Sequence, residues 1–523
     1  MSEYTDYLLV AIDPKHLPDD PKTLQQMVMD LMAQLDREFS ERSKVESLLR
    51  ELLDAKRNRK SEQLSEDQLA LFASLWQARQ AERDAADTKE QDDPDDDEPG
   101  KPGASTSSQQ KRGGRQALPR HLKRERIVHD LKDEEKHCAR CAQDLRPIGE
   151  ETSERYEYIP ASLTIIEETC LKYACKCTVR TAGKPSQPIE KSIAGASLLA
   201  HVIVSKMADH LPLHRQEKMF ARHGVQISRK TMCGWMAQCG GLLIPLYGAA
   251  KQVLFRSKEV GTDDTGVKVL DRKLPFARTG RLWPYYGDAE HPVVLYDYTP
   301  TRERAGPEKF LAGYRGYLQA DAYGGYDAFF KNPERGLIEV GCMAHARRHF
   351  RKALESDQAR MGPALLLIAQ LYRVEKRARG LAPADRLELR QLEAHPILNK
   401  LHQYLLEIQV EALPKSPEGR AVRYALKNWT ALTRYADDGY LEIDNNRTEQ
   451  SIRGIAVGRN NWLFFGSDVG GQTAAMLRSF VASCQRVGVD PFAWFKDILS
   501  RIASHPINRI AELLPHNWAA ARP

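Results

Sequence analysis

Phosphodiester cleavage and transfer need a nucleophile deprotonated and a leaving oxygen stabilised. Two divalent ions about 3.5–4 Å apart do both, provided hard carboxylate oxygens hold them. Three acids delivered from separate elements suffice, with water and phosphate oxygens completing the coordination. Asp263 in GTDDTG, Asp321 in LQADAYGGY and Glu449 in DNNRTEQSIR form such a set. Each sits among apolar or small residues, unlike most of the 71 acids of the chain. Spacing alone does not select them, because any long chain offers many triples of acids.

A second chemistry is written in cysteine. Of nine Cys, four lie as close pairs, Cys138/Cys141 and Cys175/Cys177, with Cys170 nearby. Close pairs point to a metal rather than to disulfides in a cytosolic chain. Cys138-x-x-Cys141 with a second knuckle about 34 residues on reads as a zinc ribbon, in which Zn²⁺ replaces the core a small unit lacks. The second knuckle is irregular, Cys175-x-Cys177, so His137 or Cys170 are alternative ligands, and loss of the metal is the competing reading. A third candidate group, Cys342 and His345 in CMAH, has two ligands where zinc needs four. Structural support beside the scissile phosphate is the role expected for it.

These residues need elements to hold them. Residues 22–57 contain no Gly or Pro, and Leu24, Val28, Leu31, Leu35, Val45, Leu49 and Leu52 fit one heptad register broken by Glu38 and Arg42. A short coiled coil pairing protomers is the preferred reading, an amphipathic helix packed on its own chain the alternative. Residues 61–115 read as a disordered linker, acidic at 92–98 (DDPDDDE). The following block, 111–126 (KRGGRQALPRHLKRER), carries seven Lys or Arg, and its Arg112 and Arg115 are candidate phosphate contacts. Residues 116–190 form the zinc-ribbon-like unit. Residues 191–255 read as helices, and two of them joined by GVQI resemble a helix-turn-helix. Gly224 ends one, Ser228 caps the next, and Arg229, Lys230 and Thr231 would face a DNA groove.

From 256 to 350 the pattern turns to strands: EVGTDDTGVKVLD, RLWPYYGD and HPVVLYDYTP, then a helix, then GYLQADAYGGY and GLIEVGCMAH. Three meandering strands followed by helix-separated ones are what an RNase H-like fold needs. Residues 351–440 read as a helical insertion, 441–470 as the rest of the core with the Glu449 helix, and 471–523 as a helical tail. The expected fold is thus multidomain α+β: coiled coil, zinc ribbon, helix-turn-helix and an RNase H-like domain with a large insertion. At 523 residues there is room for all of them. No apolar run approaches the roughly 18 residues of a membrane span, and the N-terminus lacks signal-peptide regions. A cytoplasmic, nucleoid-associated bacterial protein without membrane contact is expected.

The words around the acids resemble the transposases of the insertion-sequence sixty-six family, over nearly the whole chain. RNRKSEQL resembles that family's RKSE segment, and PLHRQEKMFARHGVQISRKTMCGW its helix-turn-helix. TDDTG resembles its DET word, LQADAYGGYDAFF its second-Asp word, and CMAHARRHF its Cys-x-x-His word. DNNRTEQSIRGIAVGRNNWLFFGSDVGG is the longest match. The resemblance implies a DDE-type enzyme with catalytic and metal-binding Asp263, Asp321 and Glu449, two Mg²⁺ (or Mn²⁺) ions per site, and Zn²⁺ on the Cys138, Cys141, Cys175 and Cys177 unit. It departs at Asp264, where the family has Glu; strand alternation turns Asp264 to the opposite face from Asp263. Asn446, Arg447 and Arg453 share the Glu449 word, Arg453 one turn on and able to neutralise a phosphate. Trp462, Phe464 and Phe465 would stack on an unpaired base or, alternatively, form a hydrophobic closing strand.

The implied reaction frees a 3′-hydroxyl at the element end by water attack. That hydroxyl then attacks target DNA in line, with no covalent protein intermediate. The implied partners are double-stranded DNA, namely terminal repeats and target, a second copy of the chain in at least a dimer, and small accessory transposition proteins. Two other readings compete: a sequence-specific DNA-binding regulator with an inactive RNase H-like domain, and another RNase H-like nuclease.

Overall fold

The computed structural model describes residues 186–521 except 272 and 322, together with 20, 29, 68–74, 76–77, 163–168 and two short strands, β1 (Lys172–Ala174) and β2 (Val179–Thr181). Apart from Met29, which is helical, the heptad stretch 22–57 lies outside the described residues, as do the basic arm with Arg112 and Arg115 and Cys138, Cys141, Cys175 and Cys177. The chain divides into two compact units, 90–179 and the remainder. In the first of these, the described residues are 163–168, whose Ile165 and Ile166 are exposed, and β1 with the start of β2. The larger unit, 1–89 and 180–523, contains the remaining described elements.

Its first helices are α1 (Ala196–Met207), α2 (Leu213–Arg222), α3 (Arg229–Leu242) and α4 (Ile244–Leu254). Gly224, at φ +76°, takes the left-handed conformation that stops α2, which a residue without Cβ adopts cheaply. Ser228 caps α3, its side-chain oxygen accepting the Thr231 N–H at 3.1 Å. Both stops lie where the residue types predict them. Helix α3 buries Met232, Trp235, Met236 and Cys239 at helical spacing. Arg229, Lys230 and Thr231 remain exposed at its start.

The sheet contains β3 (Glu259–Thr262), β4 (Thr265–Val269), β5 (Arg278–Tyr286), β6 (Val294–Thr299), β7 (Gly316–Gln319) and β8 (Leu337–Val340). β5 runs antiparallel to both β3 and β4, with Thr262 opposite Tyr285 and Thr265 opposite Leu282. The register carries through unchanged, so β3 and β4 are one strand line opened only at Asp263 and Asp264. β6 lies antiparallel on the far side of β5, while β7 and β8 run parallel to β3. The antiparallel trio needs only short connections. The parallel pair needs crossovers, which α5 (Ala305–Phe310) and α6 (Asp327–Phe330) supply.

Between β8 and the last helices come α7 (Met343–Ala353), α8 (Gln358–Ala378), α9 (Pro383–Leu389), α10 (His395–Glu411), α11 (Pro417–Lys427) and α12 (Trp429–Thr433). They enclose their own core, which includes Phe350, Leu365, Leu371, Leu401 and Leu405. Phe72 belongs to it as well: residues 68–74, inside the stretch read as linker, are helical, and Phe72 is fully buried against Gly362, where a Cβ would meet its ring. The signal was present in LALFASLW, whose Leu69, Phe72 and Trp76 recur at helical spacing.

The chain closes with α13 (Asn446–Trp462), α14 (Asp468–Arg486), α15 (Pro491–Arg501) and α16 (Pro515–Ala520). Helix α14 protects β6, an edge strand whose open backbone groups would otherwise invite pairing. Ser479 Oγ accepts from Tyr296 N–H at 2.8 Å, and Ser483 Oγ accepts from Val294 N–H at 3.0 Å. What reads in sequence as tail therefore completes the sheet. Among the described residues, no helix is long and apolar enough to cross a membrane.

Candidate active site

The strand opening at Asp263–Asp264 separates two neighbouring carboxylates. Asp264 is enclosed by cations: Arg281 donates to Oδ2 at 2.7 Å, and Arg302 donates to Oδ1 through Nε at 2.9 Å and Nη2 at 2.7 Å. Its charge is compensated although the side chain is only 4% exposed. Asp263 faces acids instead. Burial, and after it the fields of Asp321, Glu449 and Asp264, push its carboxyl up to about 7, against the Asp264 N–H that Oδ1 accepts at 2.6 Å.

Asp321 lies just beyond β7 and accepts the Tyr323 N–H at 3.1 Å. The guanidinium of Arg302 stacks 4.3 Å above the Tyr323 ring, whose hydroxyl donates to Arg302 O at 2.6 Å. One arginine thus ties the Asp264 end of the strand opening to the loop that carries Asp321. Tyr326, fully buried below, places its hydroxyl 3.4 Å from Thr262 Oγ1.

Glu449 arrives on α13, and close approach to β3 requires Gly261. A Cβ there would collide with Thr448 Oγ1 and Asn445 Oδ1. Asn445, 2% exposed, pins the helix start by donating through Nδ2 to Thr262 O at 2.8 Å and through its backbone N–H to Cys342 Sγ at 3.3 Å. Gln319 of β7 adds a bond to Glu442 O at 2.8 Å. No pattern in the sequence singled out Gly261, Arg281, Arg302, Gln319 or Asn445, although Asn445 sits in the DNNRTEQ word beside the acid it positions.

Around Glu449, His345 Nδ1 and Arg348 Nη2 each stand 3.5 Å from a carboxylate oxygen. Cys342, His345 and Glu449 are, among the described residues, the group whose ligand-type atoms all lie within 4.8 Å of one another. They supply three donors where structural zinc takes four. Burial holds the Cys342 thiol up at about 12, and its sulfur is engaged by Asn445, so here it anchors the helix. The three carboxylates are looser, being joined by their fields at Asp263. Hard oxygens that repel one another inside a partly desolvated cleft fit a divalent cation, which would relieve that repulsion.

Other residues of the Glu449 word turn elsewhere. Asn446 Nδ2 donates to Asp444 at 2.7 Å, and Arg447 pairs with Glu442 at 3.1 Å. Arg453 is exposed. Trp462 stacks on Phe465 with centroids 4.5 Å apart, and buried Phe465 bridges to Val269 at the end of β4, while Phe464 is exposed.

Comparison with known proteins bears on the whole assembly. The Transposase IS66 family matches residues 191–473, and the IS66 C-terminal element matches 479–516. The zinc-finger binding domain of transposase IS66 matches 135–178, and the domain described as Transposase C of IS166 homeodomain matches 46–127. Two similar proteins of Sinorhizobium fredii carry the descriptions uncharacterized protein y4jD and uncharacterized protein y4hP. The first is 33% identical over 420 residues, covering 77% of this chain and 82% of its own. The second is 29% identical over 502 residues, covering 91% and 88%. With more than half of its length inside the transposase domain and DNA-binding domains ahead of it, the chain belongs to the IS66 family of transposases.

Proposed function

We propose that this transposase is a DDE-type enzyme that binds the ends of an insertion sequence and cuts and rejoins DNA through Asp263, Asp321 and Glu449. The observation that carries the reading is Asp263: a carboxyl placed among acids, at the opening of a central strand, and raised to about 7 by burial and by Asp321 and Glu449. A strand order of β6, β5, β3 with β4, β7 and β8, antiparallel in its first half and parallel in its second, supports an RNase H-like reading of the sheet.

Asp263, Asp321 and Glu449 would hold two Mg²⁺ or Mn²⁺ ions, which when bound would activate the attacking oxygen and stabilise the leaving one. The chain's own part is placement. Asn445 and Gly261 fix the height of Glu449 over the strand, Arg302 holds Asp264 out of the acid group, and Tyr323 orients Asp321. Arg229, Lys230 and Thr231 would contact end DNA together with Arg112 and Arg115. Cys138, Cys141, Cys175 and Cys177 would hold Zn²⁺, which metal analysis of the purified chain at one Zn per chain would support. Pairing of two copies through residues 22–57 would bring two ends together.

The test is cleavage of labelled element ends in Mg²⁺ or Mn²⁺, comparing wild type with Glu449→Gln. Metal-dependent nicking by wild type and none by the variant is expected. Equal nicking by both would remove Glu449 from the assignment.

A further inference from the structure

A cavity of about 450 Å³ is lined by Glu259 and Gly261 of β3 and by Asn445 and Thr448, which flank Glu449 in sequence. Glu259, Gly261 and Asp263 occupy alternate positions, so all three belong to one face of the strand line. Asn445 and Thr448 form the cavity wall toward Glu449. Its floor is Glu259, 9% exposed, whose Oε1 has no hydrogen-bond partner among the described residues. Such an atom inside a folded protein calls for an explanation, and a missing ligand is one.

Glu442 N–H donates to the Glu259 carboxyl, Glu290 lies exposed at the mouth, and the remaining lining acids are engaged. Glu442 pairs with Arg386 at 3.4 Å and Arg447 at 3.1 Å. Asp288 accepts from Lys258 N–H at 2.7 Å and contacts His291 Nδ1 at 2.9 Å, and Asp444 accepts from Tyr372 at 2.8 Å. The rim carries exposed Arg256 as its cation, and Tyr440, 49% exposed, over whose ring Lys258 Nζ stands at 4.0 Å while pairing with Asp438 at 2.9 Å.

We propose that this cavity receives a single unstacked nucleobase of the DNA bound at the acid cleft, Glu259 meeting its edge and Tyr440 lying against its face. The inference rests on the proposed function, which puts DNA at that cleft. Burial, then Glu442, push the Glu259 carboxyl up to about 8, so near neutral pH it is a carboxylic acid, able both to donate and to accept. A base edge offers complementary donors and acceptors and no net charge. The rim supplies the ring for stacking and a cation for the flanking phosphate, the combination by which proteins hold an extruded base.

The test uses the full chain and element-end duplexes carrying 2-aminopurine at successive positions around the scissile phosphate. A several-fold rise in fluorescence at one position is expected with wild type. Glu259→Gln, which keeps a neutral donor and acceptor, should retain the rise. Glu259→Leu and Tyr440→Ala should lose it while still binding the end, and cleavage by Tyr440→Ala should fall about tenfold. An abasic residue at the responsive position, which leaves no base to seat, should bring both variants level with wild type in cleavage. If Glu259→Leu fails to fold, the exposed Tyr440→Ala decides alone. Loss of the rise in Glu259→Gln would mean that an anionic carboxylate holds a cationic group, which overturns the proposal. Cleavage by wild type with no fluorescent position also overturns it while leaving the transposase reading intact; failure to bind or cut ends sinks both.

Discussion

In the helical insertion, Arg390 is completely buried and has every N–H engaged. Nε and Nη2 meet the two oxygens of Glu375 at 2.8 and 2.7 Å; Nη1 reaches Tyr435 O and Asp438 O, each at 2.8 Å; Nη2 also reaches Leu441 O at 3.0 Å. At the strand opening, Asp263 is half-buried and lies in the fields of Asp321, Glu449 and Asp264, charges of its own sign. Both centres stand in apolar surroundings, where an isolated charge is strongly disfavoured. One is a closed set that needs nothing further. The other is left incomplete, at a cost in stability that folding alone does not explain. Asp264 sharpens the contrast, since one residue away the same side chain is fully compensated by Arg281 and Arg302. A fold that neutralises an acid at 264 and leaves its neighbour open at 263 is the contrast on which the proposed metal site rests.

The strongest way to break this comparison is to remove one acid from each environment. Asp321→Asn should lower end cleavage by roughly 10³-fold or more while leaving end binding nearly unchanged, as measured by nicking and gel-shift assays. Retained strand transfer by that variant would end the assignment. In the closed centre the effect should fall on stability instead. Arg390→Met leaves Glu375 buried without its cation and should cost about 3–5 kcal/mol in thermal or denaturant unfolding. Adding Glu375→Leu should recover most of that loss. If Arg390→Met melts like wild type, the closed centre is not what holds the insertion together.

The local elements that carry the proposed acids were readable in the sequence and the surroundings of those acids were not, for a physical reason. Strand alternation around TDDT, the turn at Gly224 and the Ser228 cap are local, so each is set by residues within one turn or one pleat. The three-strand meander and the two helix-separated strands were legible in the same way. The Arg302 bridge between Asp264 and Tyr323, the pinning of Asn445 to Thr262, and the seat of Phe72 beside Gly362 join residues separated by 21 to 290 positions. Nothing in a single sequence encodes such distances as a pattern. Arg390 is the extreme case: an arginine in a polar helical stretch reads as surface, yet it is fully buried because the π-turn at Arg390–Ala394 aims it inward at three carbonyls and a glutamate.

A subtler test asks whether the open centre depends on how closely α13 approaches the strand. Gly261→Ala adds one methyl where Thr448 and Asn445 now sit. Lifting Glu449 misplaces a carboxylate that the proposed reaction needs in position, and a displacement of about 1 Å costs on the order of 10²-fold in rate. The variant should therefore lose cleavage far more than it loses melting temperature, and Gly261→Leu should be worse on both counts. Equal loss in the two measurements would mean that the glycine serves packing alone.

The smallest expected effect is also the one that compares the two centres in a single tube. The folded state keeps the Asp263 proton up to about 7, whereas in the unfolded chain that proton leaves near the ordinary value of 3.8. Between those limits the folded state binds more protons than the unfolded one, so the Asp263 contribution to stability is present at low pH and lost as pH rises through about 7. A divalent cation that binds only the folded, ionised cleft would return part of it. Mg²⁺ should accordingly raise the melting temperature at pH 8 and do little at pH 5. Asp263→Asn should flatten both the pH slope and the Mg²⁺ response relative to wild type, whereas Arg390→Met should keep the Mg²⁺ response at a lower melting temperature. A Mg²⁺ shift of the same size at both pH values, or one that survives Asp263→Asn unchanged, would place the cation somewhere other than the open acid centre.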